Sequence, residues 1–361
     1  MPELPEVETV VRDLRPRAVG RTITAVRVGE KRLRTPWDAA WEREVVGRRV
    51  EAIRRRGKWI VVELGGRRAE APNPPGPPSL GGKGGDAPTD LPGAVSASAV
   101  PREGELCGHP LPLRGRGLGG GVAPSAHPGA AAQSEPRLVV HLGMTGQFTA
   151  VAATEPAPDH LHLVFALDDA TELRFRDVRR FGSVARFADD AAVEAFFADA
   201  GLGPEPFGLD PAAFRESVRG SARTLKAILL DQTVVAGVGN IYADEACSRA
   251  GLHPGRRGSS LTPAECDALR VAVEAVLTTA IAARGSTIRD YVGGSGLAGE
   301  FQSAHRVYGR TGEPCVTCRA PIERVVLGGR SSHYCPRCQL LAVSRQPTRK
   351  NPRGRPSKSS G

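Results

Sequence analysis

The sequence predicts an α+β chain in which a sheet-built half comes first, a helical half follows, and a metal-pinned hairpin closes the fold. Three observations carry this. Short apolar-polar runs at Thr22 to Val28, Val50 to Arg56 and Trp59 to Leu64 have the period of strands. After Phe187 that patterning stops, and helical spacing takes over at Ala212 to Val218, Thr224 to Leu230 and residues 262–283. Near the end, Cys315-x2-Cys318 and Cys335-x2-Cys338 bracket a segment that reads as two short strands. Strands grouped before helices, rather than alternating with them, mark an α+β fold.

Composition sets the frame. A chain of 361 residues with 40% hydrophobic content is long enough for two domains with real cores. A net charge of +10 suits a polyanionic partner, either nucleic acid or an acidic membrane surface. No apolar run reaches membrane-spanning length, and the first residues are too acidic for a secretion signal, so a soluble cytoplasmic protein is expected. Four of the seven cysteines are closely paired, which points to a metal site in a reducing compartment.

Taken in order, Val7, Val10, Val11 and Leu14 fall on one face of a helix over 5–15. From 66 to 136 the chain is dominated by Gly, Pro, Ala and Ser without an apolar period, and reads as a disordered insertion. Its flanks, Lys58 to Leu64 and Leu138 to Met144, are suited to pair as an antiparallel hairpin. At about 3.3 Å per residue, Lys58 and Met144 then both lie some 20 Å from the insertion, at the same open end. Residues 201–211, rich in Gly and Pro, form a linker to the helical half. Thr262-Pro263-Ala264-Glu265 is a capping box that opens a long helix. Four glycines within 286–302 suit a mobile loop, and the basic tail, 342–361, reads as disordered. Its Pro352-Arg353-Gly354-Arg355-Pro356 is similar to an AT-hook, a segment that lies in the minor groove of A·T-rich DNA.

Several residues carry chemistry. Removal of Met1 would leave Pro2 as a secondary amine, and an α-amino group titrates at about 8, well below a lysine. Part of it is then a free nucleophile near neutral pH, able to form a Schiff base, with Glu3 as a carboxyl group within reach. The same residues also suit a plain helix start. In GVGNIYADE the glycines allow a sharp bend and Asn240 stands at a helix cap, so the amides there make a phosphate seat. His160 and His162 alternate, which on a strand puts both rings on one face. Two Cys-x2-Cys pairs separated by sixteen residues suit tetrahedral zinc held by Cys315, Cys318, Cys335 and Cys338. Four thiolates leave no open position, so the metal is structural.

The start MPELPEVE, HLGMTGQF at 141–148, DVRRFG at 177–182, GVGNIYADE at 237–245 and the cysteine cluster occur here in one order. This resembles the bacterial formamidopyrimidine-DNA glycosylases, bifunctional enzymes that excise 8-oxoguanine and ring-opened purines from double-stranded DNA and cut the strand. The resemblance implies a β-sandwich domain with flanking helices over 1–200, a helix-two-turns-helix domain over 212–304 and a zinc finger over 305–341. It implies Pro2 as nucleophile, Glu3 as general acid, Lys58 as a lesion-positioning lysine that serves in β-elimination, and Arg330 as a finger arginine that assists δ-elimination. Met144, Arg179 and Phe181 would fill the space left by the extruded base, Arg179 facing the orphaned cytosine. His141, His160, Lys226 and Asn240 would contact DNA. Where many relatives carry a further lysine this chain has Thr233, so one phosphate contact is expected to be missing. The expected form is a monomer in the bacterial cytoplasm, at the nucleoid. Two rivals share parts of this pattern: an endonuclease VIII-like enzyme for oxidised pyrimidines, and a damage-binding protein without catalysis. Leu4 and the intact DVRRFG favour the purine enzyme over the first. The joint presence of Pro2, Glu3, Lys58 and Arg330 argues against the second.

Overall fold

The computed structural model describes residues 2–31, 33, 35–67, 135–287 and 293–341. Most of the expected insertion, the tail with its AT-hook-like segment, and 288–292 of the glycine-rich loop lie outside these residues.

Helix α1, Leu4–Ala18, starts where Glu3 is extended, and the Glu3 N–H donates to the Glu6 carboxylate three residues on, as in a capping box. Its apolar face, Val7, Val10, Val11 and Leu14, is fully buried. It packs on two antiparallel sheets. One has the strand order β1-β6-β7-β5, built from Ile23–Val28, Leu161–Leu167, Thr171–Asp177 and Gly146–Ala152. The other has the order β2-β3-β4-β8, from Arg48–Arg56, Trp59–Arg67, Arg137–His141 and Ser183–Phe187. Ile60, Val62 and Leu64 point to the core between the sheets, with Phe148, Phe165 and Phe175 opposite. Alternate residues Val61 and Val139 point outward and are covered by Val193 and Phe197 of helix α3, Asp190–Asp199. Trp59 to Leu64, expected as an apolar-polar run, is instead covered on both faces, and such a strand is apolar almost throughout.

The antiparallel hairpin across the insertion forms as expected, with Trp59 opposite His141, Val61 opposite Val139 and Glu63 opposite Arg137. Its edges differ from expectation. Strand β3 continues through Gly66 to Arg67, and the Pro136 carbonyl accepts from the Leu64 N–H at 3.1 Å, because ladder bonds continue as far as a partner strand is present.

The short helix α2, Ala39–Val45, and α3 both went unread in the sequence. The helical half comprises α4 (Pro211–Arg219), α5 (Leu225–Leu230), α6 (Asn240–Arg249) and α7 (Pro263–Ala282) around a second core. Pro211, placed in the linker, is the first residue of α4, capped by Asp210. The linker is firmly tied: Glu205 accepts from Arg55 at 2.7 Å and from the Gly57 N–H at 2.6 Å, and Arg56 donates to the Gly203 carbonyl. Arg55 and Arg56 thus tie the sheet-built half to the linker, while Arg54 pairs within its own half with Glu63 and Asp190. Thr262 and Glu265 form the predicted capping box.

Candidate active site and DNA-facing loops

Four segments meet around Pro2 and Glu3, both of which are buried. Glu3 is 3% exposed, and its carboxylate accepts from the backbone N–H of Ile241 at 3.0 Å and of Tyr242 at 3.5 Å, the free donors of the first turn of α6. Gly239, just before that turn, has no room for a side chain: a Cβ there would stand 2.3 Å from the Glu3 carboxyl carbon. Next to it, Gly237 (φ +90°) packs on Leu4 and its carbonyl accepts from the Leu4 N–H at 3.0 Å. The bend GVG therefore exists to bring the start of α6 onto the chain's beginning. Asn240 is the first residue of α6 rather than its cap, since the extended residue is Gly239.

Lys58 sits in the β2–β3 turn and is nearly buried. Burial lowers its pKa, Arg330 pushes it the same way, and Glu3 and Glu6 oppose both. A lysine so placed supplies a neutral amine more readily than an exposed one. Arg330 reaches this neighbourhood from the zinc-bearing hairpin. Strands β9 (Glu323–Leu327) and β10 (Arg330–Tyr334) pair through a tight turn in which Gly328 (φ +56°) and Gly329 (φ +74°) are both left-handed, as such turns require. The hairpin is docked by α6: Asp244 accepts from the His333 N–H at 2.9 Å, and Glu245 from the N–H groups of Arg306, Val307 and Tyr308.

Glu6, one turn on from Glu3, had no role assigned to it from the sequence. It is 2% exposed and accepts from the Glu3 N–H, from the Ser286 N–H at 2.7 Å and from the Tyr242 hydroxyl. Burial first, then the nearby Glu3 charge, raise its pKa to about 7 against these donors. The capping-box pattern was the only available signal of its burial.

A second cluster holds the loops expected to face DNA. His141 ends β4, its ring 4.5 Å from that of Trp59, and its Nδ1 accepts from the Gly143 N–H at 3.2 Å. Burial and Lys58 lower its pKa to about 4 despite Asp177, so the ring is neutral and offers Nε2–H as a donor. Gly143 (φ +62°) packs its Cα on the backbone of Phe181 and Gly182, where a Cβ would come within 2.5 Å of the Gly182 nitrogen. This joins the half-buried Met144 to the DVRRFG loop. Within that loop the Arg179 guanidinium lies 4.7 Å from the centre of the Phe181 ring, and both side chains are exposed. Asp177, fully buried, organises the whole. Oδ1 accepts from the Thr145 hydroxyl at 2.6 Å and the Arg179 N–H at 3.2 Å, and Oδ2 accepts from the Gly182 N–H at 2.7 Å.

Two expectations are corrected here. His160 is not on a strand: it precedes β6, has φ +63°, and does not share a face with His162 by strand alternation. His162 is buried, its Nε2 2.9 Å from the Asp177 carbonyl, so it supports the loop from beneath. Lys226 is not presented to a phosphate. Its side chain is 1% exposed, and Nζ donates to Asp244 at 2.5 Å and to the Asn240 carbonyl at 2.7 Å. A buried ammonium needs such partners, and they fix α6 instead of gripping DNA. Thr233 is exposed, but its hydroxyl is spent on Asp231 at 2.7 Å.

The sulfur atoms of Cys315, Cys318, Cys335 and Cys338 all lie within 4.8 Å of one another, the one such group of thiols among the described residues. Separations of 4.0 Å for Cys315 to Cys338 and 3.4 Å for Cys318 to Cys335 fit a tetrahedron with Zn–S bonds of about 2.3 Å, whose edges are about 3.8 Å. The Thr317 and Cys338 N–H groups point at Cys315 and Cys335 sulfurs, as amides around zinc thiolates do. The chain binds one structural zinc.

Comparison with known proteins agrees with this architecture. Three family models match: the formamidopyrimidine-DNA glycosylase N-terminal domain over 1–72 and 127–184, the formamidopyrimidine-DNA glycosylase H2TH domain over 202–292, and the zinc finger found in FPG and IleRS over 312–340. Formamidopyrimidine-DNA glycosylase of Geobacillus kaustophilus is 36% identical over 343 residues, covering 94% of this chain and 100% of that protein. The Listeria innocua enzyme of the same name is 33% identical over 345 residues, covering 94% and 100%. Among solved structures, Lactococcus lactis Fpg with N7-benzyl-Fapy-dG DNA superposes with a TM-score of 0.70 at 29% identity, covering 94% of this chain and all of that one. MutM with carbocyclic 8-oxo-G DNA gives 0.69 at 29%, with the same coverage. With sandwich, helical element and four-cysteine hairpin matched in order along both lengths, the chain belongs to the formamidopyrimidine-DNA glycosylase family.

Proposed function

We propose that the protein is a bifunctional DNA glycosylase and abasic-site lyase of base excision repair, which removes oxidised purines through Pro2 and cuts the strand by β,δ-elimination. The observation that carries this is the burial of the chain's beginning among Glu3, Lys58 and the first turn of α6, with Arg330 close enough to act on the Lys58 charge. Groups assembled this tightly around a terminal amine suit covalent catalysis at a sugar carbon.

Freed of Met1, the Pro2 nitrogen attacks C1′ of the damaged nucleotide and the base departs. Glu3, oriented by the α6 amides, protonates the opening sugar ring. The product is an iminium between Pro2 and the sugar, so C2′ becomes acidic. Lys58, with its lowered pKa, takes the C2′ proton and the 3′ phosphate leaves. Arg330 holds the departing phosphate oxygens through the second elimination. Met144, Arg179 and Phe181 occupy the gap in the duplex, at the cost of a few kcal/mol of unstacking. His141, His160 and Asn240 are the remaining DNA contacts, His141 through its neutral Nε2–H. Zinc supplies no chemistry of its own and holds the hairpin that carries Arg330. The protein works as a monomer on duplex DNA in the cytoplasm, at the nucleoid, and no helix among the described residues is long and apolar enough to cross a membrane.

Borohydride trapping tests the reading. Mature protein should give a reducible adduct on a duplex with 8-oxoguanine opposite cytosine and little on one with thymine glycol. A stronger adduct on thymine glycol would make it an oxidised-pyrimidine enzyme, and none on any lesion would leave only damage binding. An uncleaved tag before Pro2 should abolish the adduct.

A further inference from the structure

One buried hydrogen-bond chain leads away from the catalytic cluster and is not used by the reaction as described. It starts at Glu6, whose carboxylate accepts from the Glu3 N–H at 2.8 Å, one peptide unit from the Pro2 nitrogen. The Tyr242 hydroxyl, 1% exposed as a residue, donates to the same carboxylate and lies 3.5 Å from the Ser286 Oγ. That Oγ is 3.1 Å from Nε2 of His305. His305 lines a pocket with Gln302, Arg306, Arg310 and Glu313, which shares no residue with the groups assigned to DNA.

We propose that Glu6, Tyr242, Ser286 and His305 form a proton conduit joining the Pro2 amine to solvent in this pocket. The inference rests on the Pro2 reading above.

The chemistry requires an exit. A proline amine is mostly a secondary ammonium below pH 8, and it must shed one proton before its lone pair can attack C1′. A bound duplex covers the front of the site and slows exchange with bulk water there. In the conduit, the ammonium gives its proton to the Glu6 carboxylate. The Tyr242 hydroxyl turns from Glu6 to Ser286, passing its proton on as it receives one from Glu6. The Ser286 hydroxyl likewise gives its own proton to Nε2 of His305. The imidazolium keeps the Nε2 proton and releases the one on its other nitrogen to pocket water as the hydrogen bond to the Tyr308 backbone opens, and each hydroxyl ends with one proton, as it began. A relay works when its two ends hold the proton about equally well, and Tyr242, whose pKa burial and the Glu6 and Glu3 charges raise, stays a neutral hydroxyl that only exchanges one proton for another. Glu6, raised to about 7 by burial and Glu3, lies close to the amine it serves. Burial lowers the pKa of His305, with the Arg310 charge and against the Glu245 charge, a hydrogen bond to the Tyr308 backbone and the Glu3 charge, so the ring is neutral and Nε2 can accept from Ser286. Lys58 faces Glu6 from the β2–β3 turn and is a further charge beside the conduit.

The test is single-turnover formation of the borohydride-trapped adduct on a preformed abasic duplex at pH 7, in dilute buffer. Wild-type protein must trap, and if it does not, the Pro2 reading fails and not the conduit. His305→Ala should slow adduct formation by about tenfold, and free imidazole, entering the space opened beside the pocket, should restore it. Ser286→Ala removes one oxygen, keeps the backbone N–H on Glu6, and should be slowed similarly with no rescue by imidazole. Rates are compared on variants that bind the uncleaved duplex as wild type does. Wild-type rates in either variant, or a slow His305→Ala that imidazole leaves slow, overturn the proposal.

Discussion

Gly239→Ala is the smallest change that should disable the site while leaving the fold. The backbone at Gly239 is extended (φ −134°), which alanine adopts freely, so no conformational strain is introduced. The new methyl carbon would lie 2.3 Å from the Glu3 carboxyl carbon and 2.6 Å from each of its oxygens. Ordinary contact begins near 3.4 Å, so the carboxylate must retreat by about 1 Å. That shift breaks its hydrogen bonds to the Ile241 and Tyr242 N–H groups, which at about 1.5–3 kcal/mol for a charged acceptor are the stronger kind. Displacing a catalytic group by 1 Å costs about 100-fold in rate. Gly239→Ala should therefore lose about two orders of magnitude in single-turnover 8-oxoguanine excision and about 1–3 kcal/mol in stability by urea titration. Affinity for undamaged duplex should be retained. Excision within threefold of wild type would refute the placement of Glu3 as a carboxyl group that must stay where the α6 amides hold it.

Three further outcomes are expected. Glu6 has a folded pKa raised to about 7 from 4.5, so between these values the native protein binds more protons than the unfolded chain. Its contribution is full below pH 4.5 and is lost as pH rises through 7, up to about 3 kcal/mol. Glu6→Gln should flatten urea-denaturation stability across pH 5 to 8, and an unchanged slope would count against the buried acid. Asp177→Asn replaces an acceptor of three donors, so the Met144 turn and the Arg179 loop should come apart. Excision of 8-oxoguanine should fall at least about tenfold while cleavage of a preformed abasic site, which has no base to extrude, is spared. Equal loss in both assays would remove the gap-filling role. Stripping zinc with a chelator should weaken lesion binding by about 100-fold in a titration and restore it on adding zinc back. Full affinity in metal-free protein would show that the hairpin stands without it.

The sequence determined by itself whatever depends on local spacing. The apolar stripe of α1, the capping box at Thr262 and the four-cysteine set all rest on contacts between near neighbours or on fixed repeat lengths, and the pairing of the strands that flank the insertion follows from their matched lengths. Pro2 and Glu3 could be proposed there because a terminal amine and its neighbour are defined by position. Tertiary structure decided which polar side chains are buried and against what. Lys226, expected to contact DNA, is held in the core by Asp244, eighteen positions on. Glu6 and Asp177 each collect donors from segments far apart in sequence, Asp177 from the Met144 turn and Glu6 from α6 and Ser286. His160 and His162 share a face only if the strand begins one residue earlier than its backbone allows. Burial sets the protonation and partners of such groups, and burial is a sum over distant segments that no short stretch of sequence contains.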